Sequence, residues 1–340
     1  MRRKVLYIFK NFLKLFLIIS LIFVLLFLVI QILDDLASFL KGEKIFIFKN
    51  YLYTCPLLFV QISPIITILS VMLVLSEMIK NSELRILFIS GIKPLILFYI
   101  FLLCGFSSSI LTFSVKNFVS PVLLKKINRI LEVSVVFTSS NYFFHSEKVE
   151  GKKFINVEFT EYFEEGNFRT YKAEIAENYK NNNWIFKNGF LWEFDRMKNL
   201  VKKGKFDFIN IEIPLTAEIL TISNIDVETY SFFQLFKIIR DMKKIKLNPV
   251  SLKCYLHEKI SYPLLNLFMV FVIYGFLKRS SKISNLYVFS FSFLFSFFIY
   301  FFYIFMFSLS KNARIPPFLG CWLIQIFLII HFLVTKKMES

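Results

Sequence analysis

The residues that could do chemistry in this 340-residue chain are few and far apart. His257 is followed by Glu258, but no second histidine stands four residues later, so the HExxH pattern of zinc proteases is absent. His145 and His331 are remote in sequence, and neither a GxSxG nucleophile elbow nor a P-loop occurs. We therefore expect no catalytic residue, no metal site and no cofactor in this chain.

The cysteines and the clustered glutamates also give no sign of a catalytic or metal site. The four cysteines form neither a disulfide framework nor a CxxC metal motif, and we expect them to be small buried thiols: Cys55, Cys104, Cys254 and Cys321. Glu161, Glu164 and Glu165 cluster in a turn, where a solvated surface is the simplest interpretation.

Composition places the chain in a membrane. Hydrophobic residues make up 56% of it, phenylalanine occurs 46 times and the mean hydropathy is +0.61. The net charge of +17 could indicate nucleic acid, but no nucleic-acid-binding motif is present. Basic loops beside anionic lipid explain that charge better, so we expect no nucleic-acid partner.

Six uncharged apolar runs are each close to the ~20 residues that span a bilayer as a helix. They cover residues 15–33, 56–75, 94–115, 260–277, 283–309 and 315–335. Because lipid offers no partner for free backbone groups, these runs must be helical. Their near lack of ionisable side chains argues against a proton-coupled transporter.

Lysine and arginine set the expected orientation. They are concentrated in the N-terminal flank, the loops after the second and fourth runs, and the C-terminal tail. Both termini are therefore expected in the cytoplasm, in a multi-pass protein of the cytoplasmic membrane. The basic N-terminus precedes an apolar run too long for a signal peptide, so this run is predicted to be the first span.

A polar segment interrupts the spans after the third. It alternates like β-strands over residues 131–140, 153–160, 169–179, 184–194 and 206–213, with turn signals at Gly166-Asn167 and Asn188-Gly189. This pattern predicts an extracytoplasmic β-sandwich or jelly-roll-like domain. The fold class is thus a 3+3 six-helix membrane protein with an inserted all-β domain. The predicted boundaries are 1–120 for spans 1–3, 121–228 for the β domain, 229–255 for a helical connector and 256–340 for spans 4–6.

The stretch 76–94, between the second and third runs, is predicted to contain a short helix. Asn81 or Ser82 can cap it, and Glu83 in its first turn suits the positive end of the helix dipole. Gly91, with Pro94 three residues later, supplies a stop. Ile79, Ser82, Ile86 and Ile89 fall on one face, whereas Leu84 points elsewhere. From the residues alone, two roles are possible for this helix. It could dock a cytosolic partner, or it could be a solvated connector without a partner.

Five segments together resemble the LptF/LptG permeases of lipopolysaccharide export. They are KNSEL at 80–84 with SGI at 90–92, the prolines of CP at 55–56 and SP at 63–64, Ala176 with WIF at 184–186 and Gly189, KISYPL at 259–264, and IPP at 315–317 with Trp322. The resemblance covers essentially the whole chain, and KNSEL leans towards the LptG-like branch.

This resemblance implies a non-catalytic transport subunit with several partners. Members pair with a paralogous six-span subunit on a cytosolic ATPase dimer, and pass a glycolipid through jelly-roll domains to a periplasmic bridge. The helix after span 2 is the family's coupling element, which implies a coupling role for Ser82, Glu83, Leu84, Arg85 and Gly91.

The resemblance also implies a site for the phosphates of the cargo. Some members carry basic residues for it at the outer end of span 1, where this chain has Asp34 and Asp35. Lys41 and Lys44, a few residues later, are the candidates, since an ammonium can pair with phosphate as a point charge. The alternative is that Lys41 and Lys44 are solvated lysines of a loop and do not contact the cargo.

Two other functions stay open. The chain could be an envelope scaffold or sensor, with an external binding domain on a six-span anchor and no transport. A membrane enzyme acting on lipid-linked substrates would need clustered Asp, Glu or His at one membrane face, which the sequence does not offer.

Overall fold

A computed structural model describes most of the chain in two compact units. One contains Met1–Pro121, Tyr230–Leu235 and Pro249–Ser340, and the other contains Val122–Thr229 and Phe236–Asn248. The described residues are 2–34, 44–128, 135–138, 141–150, 153–163, 166–180, 182–213, 216–217, 220, 227–244, 249–279 and 285–337.

Ten α-helices occur in the described part of the chain. In order they are α1 Arg2–Asp34, α2 Lys44–Lys80, α3 Glu83–Ile89, α4 Pro94–Ser114, α5 Ser120–Asn128, α6 Phe232–Lys244, α7 Val250–Met269, α8 Ile273–Arg279, α9 Asn285–Lys311 and α10 Pro317–Lys337. A π-helical turn, Val115–Val119, joins α4 to α5, and a 3-10 turn, Val270–Val272, joins α7 to α8.

Six helical segments of the described chain are long and apolar enough to cross a membrane, which confirms the predicted 3+3 arrangement. They are Val5–Leu33, Tyr51–Lys80, Pro94–Lys126, Val250–Leu277, Phe293–Lys311 and Pro317–Lys337. Exposed leucine, isoleucine and phenylalanine side chains cover much of α1, α9 and α10, as expected for surfaces that face lipid.

The helical unit has one large apolar core. Side chains of α1, α2, α4, α7 and α8 pack in it, including the fully buried Phe12, Ile66, Phe101 and Tyr274. Buried amide and hydroxyl groups also join the spans. Asn266 on α7 donates to Thr112 Oγ1 on α4 at 2.8 Å and accepts from Ser63 Oγ on α2 at 3.3 Å.

The β unit is one antiparallel sheet of six strands in chain order. The strands are β1 Val135–Thr138, β2 Tyr142–Glu150, β3 Lys153–Tyr162, β4 Phe168–Lys180, β5 Asn183–Phe194 and β6 Leu200–Glu212. This sheet confirms the inserted, jelly-roll-like β domain, and its described strands connect as a meander. The strand pattern missed β2, and β6 begins six residues earlier than predicted.

Aromatic rings fill the buried face of the sheet. Trp184 is fully buried, with ring centroids 5.6 Å from Phe144 and 5.2 Å from Phe154. Phe159 and Phe186 extend the same cluster along the sheet. Such ring pairs stabilise a sheet beyond the apolar area that they bury.

The turn expected at Asn188-Gly189 is wrong, since both residues lie inside β5. Gly189 pairs with Ala173 on β4 and with Phe206 on β6. A Cβ atom at this position would overlap the carbonyl oxygen of Lys172 and lie 2.5 Å from Phe206 Cζ. The glycine is therefore needed for the close approach of a neighbouring ring and strand, not for a turn.

Candidate functional site

The short predicted helix is present as α3, immediately after α2. Asn81 N–H donates to Glu77 O at 3.0 Å and Ser82 N–H donates to Ile79 O at 3.1 Å, which closes the end of α2. Ser82 then adopts a left-handed conformation with φ of 58°, so that the chain changes direction before α3 begins at Glu83. The break separates the two helices by only two residues.

Ser82 holds the N-cap position, but the predicted capping bond is wrong. Its side chain makes no capping hydrogen bond to α3, because an ordinary N-cap residue has extended backbone angles and Ser82 does not. Glu83 lies in the first turn, as predicted. Ile79 belongs to α2 and is partly buried, so it does not share a helix face with Ile86 and Ile89.

The C-terminal stop forms as predicted. Gly91 has a φ of 85°, a left-handed conformation that glycine adopts without a steric penalty. Gly91 N–H donates to Phe88 O at 3.0 Å and Ile92 N–H donates to Leu87 O at 3.1 Å. This pair of bonds is a Schellman motif, which fixes the end of α3 before α4 begins.

Helix α3 has one buried side and one exposed side. Leu84 and Leu87 are 2% and 6% exposed and belong to the apolar core of the helical unit. Ile86 and Ile89 are 60% and 79% exposed, and Arg85 is exposed as well. Two leucines thus attach the helix to the bundle, while two isoleucines face away from it.

A shallow groove of about 170 Å³ runs beside the helix. It is lined by Tyr7 and Ile8 of α1, Met78 of α2, and Glu83, Ile86 and Leu87 of α3. Across it, Tyr7 Oη donates a hydrogen bond to Glu83 Oε1 at 3.4 Å. The N-terminal part of α1 and helix α3 therefore lie at the same end of the bundle. The groove has apolar walls and one partly buried carboxylate.

The structure does not test the two predicted cargo lysines, Lys41 and Lys44. Lys41 lies outside the described residues, and Lys44 begins α2 with a side chain that the structure does not describe. Asp34 ends α1, and Asp35 also lies outside the described residues.

A buried ion pair deeper in the helical unit was missed by the sequence analysis. Lys116 Nζ contacts Glu258 Oε1, and the two residues are only 2% and 6% exposed. Lys116 lies in the third span and Glu258 in the fourth, each just beyond the uncharged run that predicted it. The expectation of spans nearly free of ionisable groups is therefore wrong here. Pairing explains how these charges can be buried.

The π-helical turn Val115–Val119 turns two polar side chains inward. Lys116 Nζ also lies 4.7 Å from the centroid of the Tyr262 ring on α7. Asn117 is 2% exposed, and its Oδ1 accepts the Phe232 N–H at the start of α6 at 3.1 Å. A π-bulge of this kind inserts a residue into a helix and often marks a functional position.

We predict that substitutions of Lys116 and Glu258 have strongly non-additive effects on the free energy of unfolding. Lys116→Met or Glu258→Met alone should lower the free energy of unfolding by about 3–5 kcal/mol, because each leaves one buried charge without its partner. The double variant should recover most of that loss. Unfolding of the purified chain in detergent measures this, with the exposed Lys336→Met as control. Losses that simply add in the double variant would contradict the coupling.

The comparison with known families matches this architecture. A family model described as lipopolysaccharide export system permease LptF/LptG matches residues 6–336, almost the whole chain. No curated protein matches the chain. The match includes all six spans, the inserted sheet and α3, and the chain belongs to the LptF/LptG family of lipopolysaccharide export permeases.

Proposed function

We propose that this chain is a transmembrane subunit of an ATP-driven exporter of lipopolysaccharide or a related glycolipid. It pairs with a paralogous six-span subunit, rests on a cytosolic ATPase dimer, and delivers its cargo to a periplasmic bridge protein. The observation that carries this proposal is α3, which is attached to the bundle by Leu84 and Leu87 and exposes Ile86 and Ile89.

The exposed side of α3 suits an ATPase surface. Ile86 and Ile89 offer apolar contact area, and Glu83 offers a carboxylate beside the groove. Apolar contacts at the centre of an interface with charge at its rim give both affinity and orientation. Glu83 is also the residue that matches the acidic position of the family's coupling helix.

The orientation that we propose puts both chain termini and α3 in the cytoplasm and the β domain in the periplasm. Tyr7 and Glu83 meet at one end of the bundle, which is consistent with the N-terminus and α3 lying on the same side. That end is rich in lysine and arginine, including Arg2, Arg3 and Arg85, as the positive-inside rule requires.

The periplasmic bridge is proposed to dock on the edge strand β6. Among the described strands, β6 pairs only with β5, so its outer edge offers backbone groups to another strand. Phe208 and Val201 on this strand are 77% and 68% exposed. Addition of a strand at such an edge joins sheets through main-chain hydrogen bonds.

Purification of the tagged chain in mild detergent tests these partnerships. Wild type should bring down an ATPase, a second six-span subunit and the bridge protein. Glu83→Lys and Ile89→Asp should each reduce ATPase recovery at least about tenfold, equivalent to about 1.4 kcal/mol of binding, without loss of the folded chain. Ile89 is exposed and Glu83 is only partly buried at the edge of the groove, so the fold should tolerate the changes.

Glu174→Lys is the matched control, since it makes the same charge change at an exposed position of β4. Equal ATPase recovery from all variants would overturn the docking role of α3. Wild type that purifies alone, or with envelope proteins only, would favour the scaffold or sensor function instead.

Lys41 and Lys44 are proposed to pair with phosphate groups of the cargo. Replacing both with glutamine should lower the amount of phosphorylated glycolipid that co-purifies with the complex, as measured by mass spectrometry. Lys336→Gln with Lys337→Gln removes the same charge in the C-terminal tail and should leave the lipid unchanged. Unchanged lipid with the first pair would identify Lys41 and Lys44 as ordinary solvated lysines.

A further inference from the structure

Two cysteines that are far apart in sequence meet in the helical unit. The Sγ atoms of Cys254 on α7 and Cys321 on α10 are 3.8 Å apart. Cys321 Sγ also donates to the carbonyl oxygen of Cys254 at 3.5 Å. Their exposed fractions are 0% and 1%. The two thiols are buried, as expected, but the sequence did not predict that they lie against each other.

The surrounding helices hold the two thiols in place. Cys254 Sγ lies 3.9 Å from the carbonyl oxygen of Phe307 on α9. Gly320, next to Cys321, is so close to α9 that a Cβ atom there would lie 2.8 Å from Ser310 Oγ. Helices α7, α9 and α10 are thus packed closely at this corner. Neither sulfur can move far from the other without displacing a helix.

Both cysteines lie near the beginnings of their helices, at the same end of the bundle. Cys254 is in the second turn of α7, where the chain returns from the inserted β domain, and Cys321 is in the second turn of α10. Under the proposed orientation, which this inference requires, that end faces the periplasm. Disulfides form and persist in such an oxidising compartment.

We propose that Cys254 and Cys321 form a disulfide that joins span 4 to span 6. A disulfide needs its sulfur atoms about 2.05 Å apart. The two sulfur atoms are 3.8 Å apart, so they are already in contact and need to approach by only about 1.8 Å. Cys55 and Cys104 lie elsewhere, on α2 and α4, and among the described residues neither contacts another cysteine. The pairing is therefore unambiguous.

The oxidant is a periplasmic thiol–disulfide oxidoreductase in its disulfide form. The thiolate of one cysteine attacks the oxidant's disulfide, which breaks that S–S bond and forms a mixed disulfide. The second cysteine thiolate then attacks the mixed disulfide, forms the Cys254–Cys321 bond and releases the oxidant as a dithiol. The two protons lost by the cysteines end on the two thiols of the reduced oxidant.

Burial of the two thiols determines when the disulfide can form and how well it is protected from reduction. The folded corner excludes a protein oxidant, so the exchange takes place before α10 has packed against α7. The finished bond encloses α9 in a covalent loop and is shielded from hydrophilic reductants. It would hold the outer ends of spans 4 and 6 together while the rest of the bundle moves.

Differential alkylation of the full-length chain tests the disulfide. Cells are quenched with acid, free thiols are alkylated in denaturant with N-ethylmaleimide, and the protein is then reduced and alkylated with a heavier maleimide. We expect Cys55 and Cys104 to carry the first label, and Cys254 and Cys321 the second. An unreduced digest should contain a peptide that links residues 254 and 321.

Two variants sharpen the result. In Cys254→Ser, residue 321 should change to the first label and the melting temperature should fall by several degrees, whereas Cys55→Ser should change neither property. First label on all four cysteines of wild type, or a link between any other pair, would overturn the inference. Thiol labelling does not depend on ATPase recovery, so the inference and the proposed function can fail separately.

Discussion

Helix α3 depends on the burial of Leu84 and Leu87 in the core of the helical unit. A seven-residue helix is far too short to be stable in water by itself, because its nucleation cost is not recovered by so few hydrogen bonds. The apolar core and the Schellman motif at Gly91 supply what the helix lacks. A force applied to Ile86, Ile89 or Glu83 would therefore be passed to α2 and α4, and not absorbed by bending of a loop.

Polar contacts join the spans to which a force on α3 would be passed. Lipid is as apolar as a leucine side chain, so helices in a membrane associate through close packing and interhelical hydrogen bonds. Asn266 joins α7 to α2 and α4, and the Lys116–Glu258 pair joins the third span to the fourth. Asn117, in the same π-helical turn as Lys116, binds the first N–H of α6. The third and fourth spans, which flank the β domain in sequence, are thus linked by directional contacts.

Local sequence signals predicted those features that local physics determines. The six apolar runs and the helix stop at Gly91 each depend on a few neighbouring residues, and they were predicted correctly. Five of the six strands were also predicted, although β6 begins six residues earlier than expected. Strand β2 was missed because Tyr142–Glu150 alternates weakly. The left-handed Ser82 and the close approach at Gly189 depend on neighbours that a sequence pattern does not show. The Lys116–Glu258 and Cys254–Cys321 pairs each join residues distant in the chain, so no spacing rule could have found them.

We propose that α3 transmits movement from the ATPase because Leu84 and Leu87 attach it firmly to the bundle. The most direct measurement is ATP-driven release of glycolipid from proteoliposomes that contain this chain, its partner subunit and the ATPase, with Leu87→Ala beside wild type. This substitution loosens the attachment of α3 to the bundle, while the buried Leu84 still holds the helix that carries Glu83, Ile86 and Ile89. The account predicts that the variant still binds the ATPase and hydrolyses ATP but releases little glycolipid. Release at the wild-type rate would contradict it.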